Sequence, residues 1–328
     1  MKNNMVIGII GTGKIVDEML PVVTALSGIK VGAICSRSSS SLPKAKKLAA
    51  TFGIDNVYTD YNLMLQQADI DFVYVALTNN AHAEYAESAL SANKNVIVEK
   101  PICTSAAELT QLAHIALTRH LYLFEAVTLL HMPHYRRLKD ELLQTIGAVK
   151  LIECNYSQRS SRYDLYQSGR LTPAFDPACF GGALMDINIY NINFVVSLFG
   201  EPRYAEYRKN TGFNGIDTSG VAILQYPDFV ATCIGAKDCD GRSFGSIQGD
   251  SGRIETDGPV SVLSALKVYA DGRETTIDAQ AKKHRLFFEF EHFRDIFTTN
   301  NYDTMKYYLE ISMQVMRVVD RLRNNTIM

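Results

Sequence analysis

Met5-Val6-Ile7-Gly8-Ile9-Ile10-Gly11-Thr12-Gly13-Lys14-Ile15-Val16 is the stretch on which the fold turns. Residues 5–10 form a short apolar, largely β-branched run suited to a buried strand, and Gly11-Thr12-Gly13 is a tight turn. Residues 14–27 then carry Ile15, Met19, Val22, Val23 and Leu26 at helical spacing. A strand that turns through two glycines into a helix lets a pyrophosphate approach the free N–H groups at the helix start, where the dipole also favours an anion. Gly11, Thr12, Gly13, Lys14 and Ile15 are therefore candidate cofactor contacts. Val16 occupies the third fingerprint position, where Gly or Ala normally permits close packing of helix on strand. The same pattern alone also describes a bare turn, so its neighbours decide.

Working outward, a second strand is expected over residues 30–35, followed by a polar turn and a helix that Pro43 opens and Gly53 closes. Residues 72–77 and 96–98 read as two more buried strands separated by a helix from about residue 81 to 92, with Asn93 as its cap. Ser105 and Glu108 make a Ser-x-x-Glu capping box, and residues 121–124 are another strand. Strands alternating with helices predict a doubly wound parallel sheet, a Rossmann domain over residues 1–124. The pattern then changes. Residues 133–143 look helical, one helix is expected near 184–198, and strands at 149–157, 219–226, 230–235, 243–249, 252–256 and 266–269 follow one another without helices between most of them. This predicts a second, α+β domain over residues 125–301 with a large, mostly antiparallel open sheet. A helix at about 302–322 is expected to pack back onto the first domain.

Two strand ends bear on chemistry. At residues 95–101, Asn95-Val96-Ile97-Val98-Glu99-Lys100-Pro101, the proline lacks the N–H needed to continue a ladder, so Lys100 stands at a strand's carboxyl end. Ligands of open α/β sheets bind there, and a lysine there can meet negative charge developing on a substrate oxygen. The Lys100-Pro101 peptide is expected to be cis. At the end of the second strand, Cys35-Ser36-Arg37-Ser38 carries no acid, and none follows before Asp55. A carboxylate would repel a 2′-phosphate, whereas Arg37 with the Ser36 and Ser38 hydroxyls would bind one. NADP is thus the expected cofactor in preference to NAD; the alternative is a solvated polar turn.

The 328 residues exceed one compact core of ordinary size, so two domains are expected. With Lys+Arg 33 against Asp+Glu 35 the formal charge is −2, and no cationic block suits a nucleic acid or a membrane surface. A small-molecule substrate is the expected partner. No uninterrupted apolar run reaches spanning length and a strand begins within a few residues of the start, so a cytoplasmic location is expected. Cys35, Cys103, Cys154, Cys179, Cys233 and Cys239 are scattered, without Cys-x-x-Cys or zinc spacing; reduced thiols and no metal site are expected.

Gly8-x-x-Gly11-x-Gly13-x-Ile15, then Thr78-Asn79-x-x-His82 after a strand, then Glu99-Lys100-Pro101 together resemble the glucose-fructose oxidoreductase, inositol dehydrogenase and rhizopine-catabolism (Gfo/Idh/MocA) family. Glu125-Ala126 leading to Pro133 resembles its entry into the second domain, and Gly181-Gly182-Ala183-Leu184-Met185-Asp186-x-Asn188-x-Tyr190 its Gly-Gly-x-Leu-x-Asp-x-Gly-x-His/Tyr motif. The likeness extends over nearly the full length.

The resemblance implies that Lys100 is the catalytic lysine, that Tyr190 holds the acid/base position, and that Asp186, one helical turn earlier, faces the site with it. Tyrosine at this place is similar to glucose-fructose oxidoreductase and the dimeric dihydrodiol dehydrogenases. It further implies cofactor contacts at Thr78, Asn79, His82, Glu99 and Lys100, and a homodimer or homotetramer through the second domain's sheet. His82 is equally readable as a first-turn helix residue facing solvent, Asp186 as a helix-end acceptor, and Arg159 and Arg162 as anion ligands or surface ion pairs. Val16, Thr78, Asn93, Asn188 and Leu130 depart from the family pattern, the last two in the expected substrate region. The implied activity is NAD(P)-dependent interconversion of a carbonyl and an alcohol on a sugar, polyol or related molecule. Its competitor is a non-catalytic NAD(P)-binding sensor on the same fold, which the joint presence of Lys100, Asp186 and Tyr190 disfavours.

Overall fold

In the computed structural model, which describes residues 4–278 and 283–327, the chain divides into two compact units, one of residues 1–126 and 286–310, the other of 127–285 and 311–328. The first contains β1 (Met5–Ile10), α1 (Lys14–Val23), β2 (Ile29–Cys35), α2 (Leu42–Phe52), β3 (Asn56–Tyr58), α3 (Tyr61–Gln67), β4 (Phe72–Val75), α4 (His82–Ser91), β5 (Asn95–Glu99), α5 (Ala106–Thr118) and β6 (Leu123–Ala126). Its six strands are ordered β3-β2-β1-β4-β5-β6, and every pairing is parallel. Strand order reverses beside β1, the place where such sheets bind dinucleotides. The local signals act as read. Gly53 ends α2 in the left-handed conformation, Asn93 follows α4 at φ 57°, and Ser105 Oγ accepts from Glu108 N at 3.2 Å. Glu108 closes the box on the neighbouring residue, its Oε2 accepting from Thr104 N at 2.8 Å.

The second unit contains α6 (Pro133–Arg137), β7 (Val149–Ser157), α7 (Tyr163–Gln167), α8 (Ile189–Phe199), β8 (Tyr204–Thr211), β9 (Asp217–Gln225), β10 (Val230–Ala236), β11 (Phe244–Gly249), β12 (Gly252–Thr256), β13 (Ala265–Ala270) and β14 (Arg273–Asp278). Two further helices, α9 (Arg285–Thr298) and α10 (Tyr302–Asn324), precede the two-residue β15 (Thr326–Ile327). The sheet order is β14-β13-β12-β11-β7-β10-β9-β8-β15, antiparallel except at β7–β10 and β8–β15. One sheet face is buried: Ile152, Cys154, Ala222, Leu224, Ala231 and Cys233 are at 0% exposure, with α8 packed over β7 and β10. Pro177–Phe199 is apolar and long enough to cross a membrane by composition, and most of it is buried in this unit as core.

Two domain boundaries differ from expectation. Residues 286–301 group with the first unit, and α10 divides, residues 302–310 with the first and 311–324 with the second. α9 was not foreseen because Arg285-Leu286-Phe287-Phe288-Glu289-Phe290 is rich in aromatics that suit strands as well. It nonetheless completes the first core: Phe293 stacks on Phe124 at 4.5 Å, while Phe290 and Phe297 meet Tyr74 and Phe72 edge-on at 5.6 and 5.0 Å. Strands β8 and β14 also lack a sequence signal, since much of each is exposed and polar.

Candidate active site

In the first unit the glycine turn has two different reasons for its glycines. Gly11 sits at φ 113°, and a Cβ there would fall 2.2 Å from Ala76 O, so no other residue fits between β1 and β4. Gly13, the N-cap of α1, has nothing within 4 Å of the place a Cβ would occupy, which leaves room over the helix's free N–H groups for a pyrophosphate. Thr12 and Ile15 are half-buried, Lys14 is exposed, and Lys14 Nζ lies 3.7 Å from Glu18 Oε1 in a solvent-screened pair. Val16 is fully buried, so the fingerprint departure is absorbed by packing.

At the end of β2, Arg37 is exposed and its guanidinium lies 5.8 Å from the Tyr85 ring centroid. Ser36 corrects the reading: it is 1% exposed, donates to Ser38 O at 2.8 Å and bonds Ser41 Oγ at 2.6 Å. Its hydroxyl builds the turn. Ser38 Oγ, joined to Ser40 and Ser41 Oγ at 2.9 Å each, stays on the surface beside Arg37.

Lys100 follows β5, half-buried, and its peptide bond to Pro101 is cis. Its setting is rigid. Tyr74, fully buried on β4, donates its hydroxyl to Glu99 Oε1, and Glu99 Oε2 accepts from Lys100 N at 3.3 Å. Thr78 precedes a 3₁₀ turn, Asn79–Ala81, both Thr78 and Asn79 being half-buried. His82 does not face solvent. It is 0% exposed, with Nδ1 2.8 Å from Pro101 O and Nε2 3.2 Å from Leu77 O. Burial holds the imidazole below its usual range, the two carbonyls oppose this, and the Lys100 charge reinforces it. A neutral ring has one N–H, and the shorter contact assigns it to Nδ1, donating to Pro101 O. His82 thus ties the loop after β4 to the loop that carries Lys100.

In the second unit the glycine pair sets a helix start. Gly182 sits at φ 97°, and a Cβ there would fall 2.0 Å from Asp217 Oδ1. That approach lets Asp217 Oδ2 accept from Leu184 N at 2.6 Å as well as from Tyr207 OH at 2.8 Å. Removal from water pushes the Asp217 carboxyl up, while these donors and the Lys237 charge pull it down. Residues Leu184–Asn188 then form a π-helical turn that runs into α8, rather than the continuous α-helix expected. Such turns cluster at functional sites. Asp186 lies in it and Tyr190 in the first turn of α8, half-buried, its ring 6.2 Å from that of Tyr156 on β7.

The partner of Asp186 was missed. Lys237, directly after β10, is buried, and its Nζ is 2.8 Å from Asp186 Oδ2 and 2.6 Å from Ala174 O. The available signal was Val230-Ala231-Thr232-Cys233-Ile234-Gly235-Ala236-Lys237, an apolar run ending in lysine like the run ending in Lys100. Asn188 and Leu130 are corrections too. Asn188 is 0% exposed, donating to Cys233 O at 2.9 Å and accepting from Asn191 Nδ2 at 2.9 Å, and Leu130 is 3% exposed; both are core, not substrate lining. Arg159 pairs with Asp164 at 2.5 Å on the surface. Among the described residues, no three His, Cys, Asp or Glu side chains are grouped as a metal ion requires.

Comparison with known proteins agrees with this layout. Residues 5–126 match the oxidoreductase family with an NAD-binding Rossmann fold, and residues 135–255 match the GFO/IDH/MocA C-terminal domain. The chain is 30% identical over 316 residues to scyllo-inositol 2-dehydrogenase (NADP(+)) of Bacillus subtilis (strain 168), covering 96% of this chain and 95% of that protein. It is 28% identical over 327 residues to D-xylose 1-dehydrogenase (NADP(+)) 2 of Haloferax volcanii, covering 97% and 96%. A 3-ketoreductase from Actinomadura kijaniata, solved with NADP and TDP-benzene, shares the fold at a TM-score of 0.85 and 24% identity over 99% of this chain and 98% of that one. The order of motifs, the parallel sheet with its glycine turn, and these matches along both units establish that the chain belongs to the Gfo/Idh/MocA oxidoreductase family.

Proposed function

We propose that the protein is an NADP-preferring oxidoreductase that interconverts a carbonyl and an alcohol on a sugar, polyol or related small molecule. The observation that carries the cofactor choice is the exposed Arg37 at an acid-free end of β2, beside a helix start with room over Gly13. Gly11, Thr12, Gly13, Lys14 and Ile15 hold the pyrophosphate in this reading, Arg37 and Ser38 the 2′-phosphate, and Thr78, Asn79 and Glu99 flank the nicotinamide end. His82 acts through the loop it ties. Both relatives named as NADP(+) dehydrogenases act on a polyol or a sugar, which supports the substrate class.

When bound, NADPH supplies the hydride. The chain's own residues handle charge and proton. Lys100 offers a cationic donor to the oxygen that becomes an alkoxide, and Tyr190 gives that oxygen a proton, or takes it back in the oxidative direction. A phenol with an ordinary pKa of about 10 needs a nearby cation to work at neutral pH. The half-exposed stripe Leu151, Val221, Ile223, Val230 and Ile234 on the other face of the large sheet supports a homodimer or homotetramer through that face.

A spectrophotometric screen of NADPH oxidation and NADP reduction over sugars, dicarbonyls and polyols tests the reaction. Turnover of one substrate above background supports it, and none, with NADPH bound, favours the sensor. By titration NADP(H) should bind tighter than NAD(H), with Arg37→Ala removing most of the difference; equal wild-type affinities refute the preference. Light scattering checks the oligomer.

A further inference from the structure

Lys237 is a buried charged group of the second unit to which the proposed reaction gives no part. Its side chain is 2% exposed, and each ammonium proton has a partner: Ala174 O at 2.6 Å, Asp186 Oδ2 at 2.8 Å, and the face of Phe175 at 4.5 Å. Burying an ammonium is costly unless its neighbours replace water, and here they are fixed. Phe175 stacks on Tyr166 at 4.8 Å, and Tyr166 on Phe213 at 4.4 Å. Tyr166 OH donates to Asn214 Oδ1 at 2.8 Å, and Asn214 Nδ2 to Phe175 O at 2.8 Å. Lys237 N donates to Thr218 O at 2.9 Å, so the backbone is held as well. The ammonium cannot leave Asp186 without breaking this set.

Tyr190 lies four residues beyond Asp186, in the first turn of α8 directly after the π-helical turn that holds Asp186, a spacing of about one turn that puts the phenol within the field of the carboxylate. Among the described residues, the titratable groups of the packed elements on this side are Cys154 and Tyr156 on β7, Asp217 on β9, Cys233 and Lys237 at β10, and His131 on the turn Thr128–His131, while Glu153 of β7 lies on the strand's other face and Lys150 is exposed at its start. Unbalanced, the Asp186 charge would disfavour the phenolate of Tyr190. Asp186 is 37% exposed, so water screens part of this effect, but Lys237 is dry and adjacent.

We propose that Lys237 is a positioning residue for Asp186 and Tyr190: it pins the Asp186 carboxylate and cancels its charge, so that Tyr190 loses and regains its proton beside a balanced ion pair. The catalytic consequence rests on the proposed role of Tyr190; the charge coupling does not. The test therefore reads Tyr190 directly, by NMR titration of the full chain labelled with ¹³Cζ-tyrosine, with Tyr190→Phe assigning the resonance.

Lys237→Met is expected to raise the midpoint of the Tyr190 titration by about one pH unit. Adding Asp186→Asn to it should return the midpoint to the parent value, a restoration that loosened packing would not produce. Lys237→Gln, which keeps a donor toward Ala174 O, should act like Lys237→Met and serves if the latter does not fold. Asp186→Asn alone must not raise the midpoint. An unmoved midpoint in folded Lys237→Met or Lys237→Gln, a rise that Asp186→Asn fails to cancel, or a rise in Asp186→Asn alone overturns the inference. With a substrate from the screen, the alkaline rise of kcat for alcohol oxidation should move with the same midpoint, lowering kcat about tenfold at fixed pH below it. No turnover by the parent enzyme with the titration behaving as described would defeat the proposed reaction and leave the coupling standing; turnover with an unmoved midpoint would do the reverse.

Discussion

Two lysines end two apolar strands in this protein, and they are held in opposite ways. Lys237 is buried with its ammonium bound to a carboxylate, a carbonyl and a ring face, so its own head is fixed. Lys100 is half-buried, and what is fixed there is the backbone: Glu99 takes its N–H, Tyr74 holds Glu99, and His82 holds Pro101. In the proposed reaction Lys100 meets a substrate oxygen, and its backbone is positioned for that, whereas Lys237, which serves another residue, is immobilised at its head. The same local sequence pattern therefore supports two tasks, and the surroundings choose between them.

The sharpest way to break the comparison is to remove the working groups. Lys100→Met and Tyr190→Phe are each expected to lower kcat by roughly a thousandfold while the NADPH dissociation constant changes far less, since most of the proposed cofactor contacts lie at the glycine turn and Arg37. Near-parent kcat in Tyr190→Phe, with chemistry shown to be rate-limiting, would move proton transfer elsewhere. Gly182→Ala attacks the other side of the comparison. The clash with Asp217 and the left-handed backbone should destabilise the second unit by about 2–3 kcal/mol, read by urea unfolding. An unchanged midpoint and slope would show that the Asp217 cap is not what seats the turn bearing Asp186.

Smaller effects sharpen it. Tyr74→Phe removes one buried donor to Glu99 and should cost about 1–2 kcal/mol, with kcat falling and the NADPH dissociation constant nearly constant if Glu99 positions Lys100. A loss of stability with kcat intact would make Tyr74 a core residue only. The smallest concerns pH. The folded-state pKa of His82 is depressed, so its contribution is present above the unfolded value of about 6.5 and is lost as pH falls from there toward the depressed value. His82→Gln, which keeps an N–H donor, should flatten that part of the stability–pH curve. An unchanged slope between pH 7 and 5 would mean that His82 is not the group responsible.

The sequence by itself determined five of the six strands of the first unit and their parallel alternation with helices, because that information is local, while β3, α3 and α9 went unread. Continuous apolar runs, helical spacing, Gly11, Gly53, Asn93 and the Ser105 box each act within a few residues of themselves, and parallel order follows from their succession. The order of Gly11-x-Gly13, Glu99-Lys100-Pro101 and Asp186-x-Asn188-x-Tyr190 likewise marked the family and the two ends of the proposed chemistry. Tertiary structure alone decided the polar partners. Ser36 turned inward, Asn188 went to the core, His82 bridged two loops and Lys237 reached Asp186 across 51 positions of sequence. Strands β8 and β14, with much of their surface exposed, and the aromatic α9 were hidden for a related reason. An apolar side chain is committed to the interior by its own chemistry, which periodicity records. A hydroxyl, an amide or an ammonium can be satisfied by water or by protein, and which of the two occurs depends on what the folded chain brings beside it.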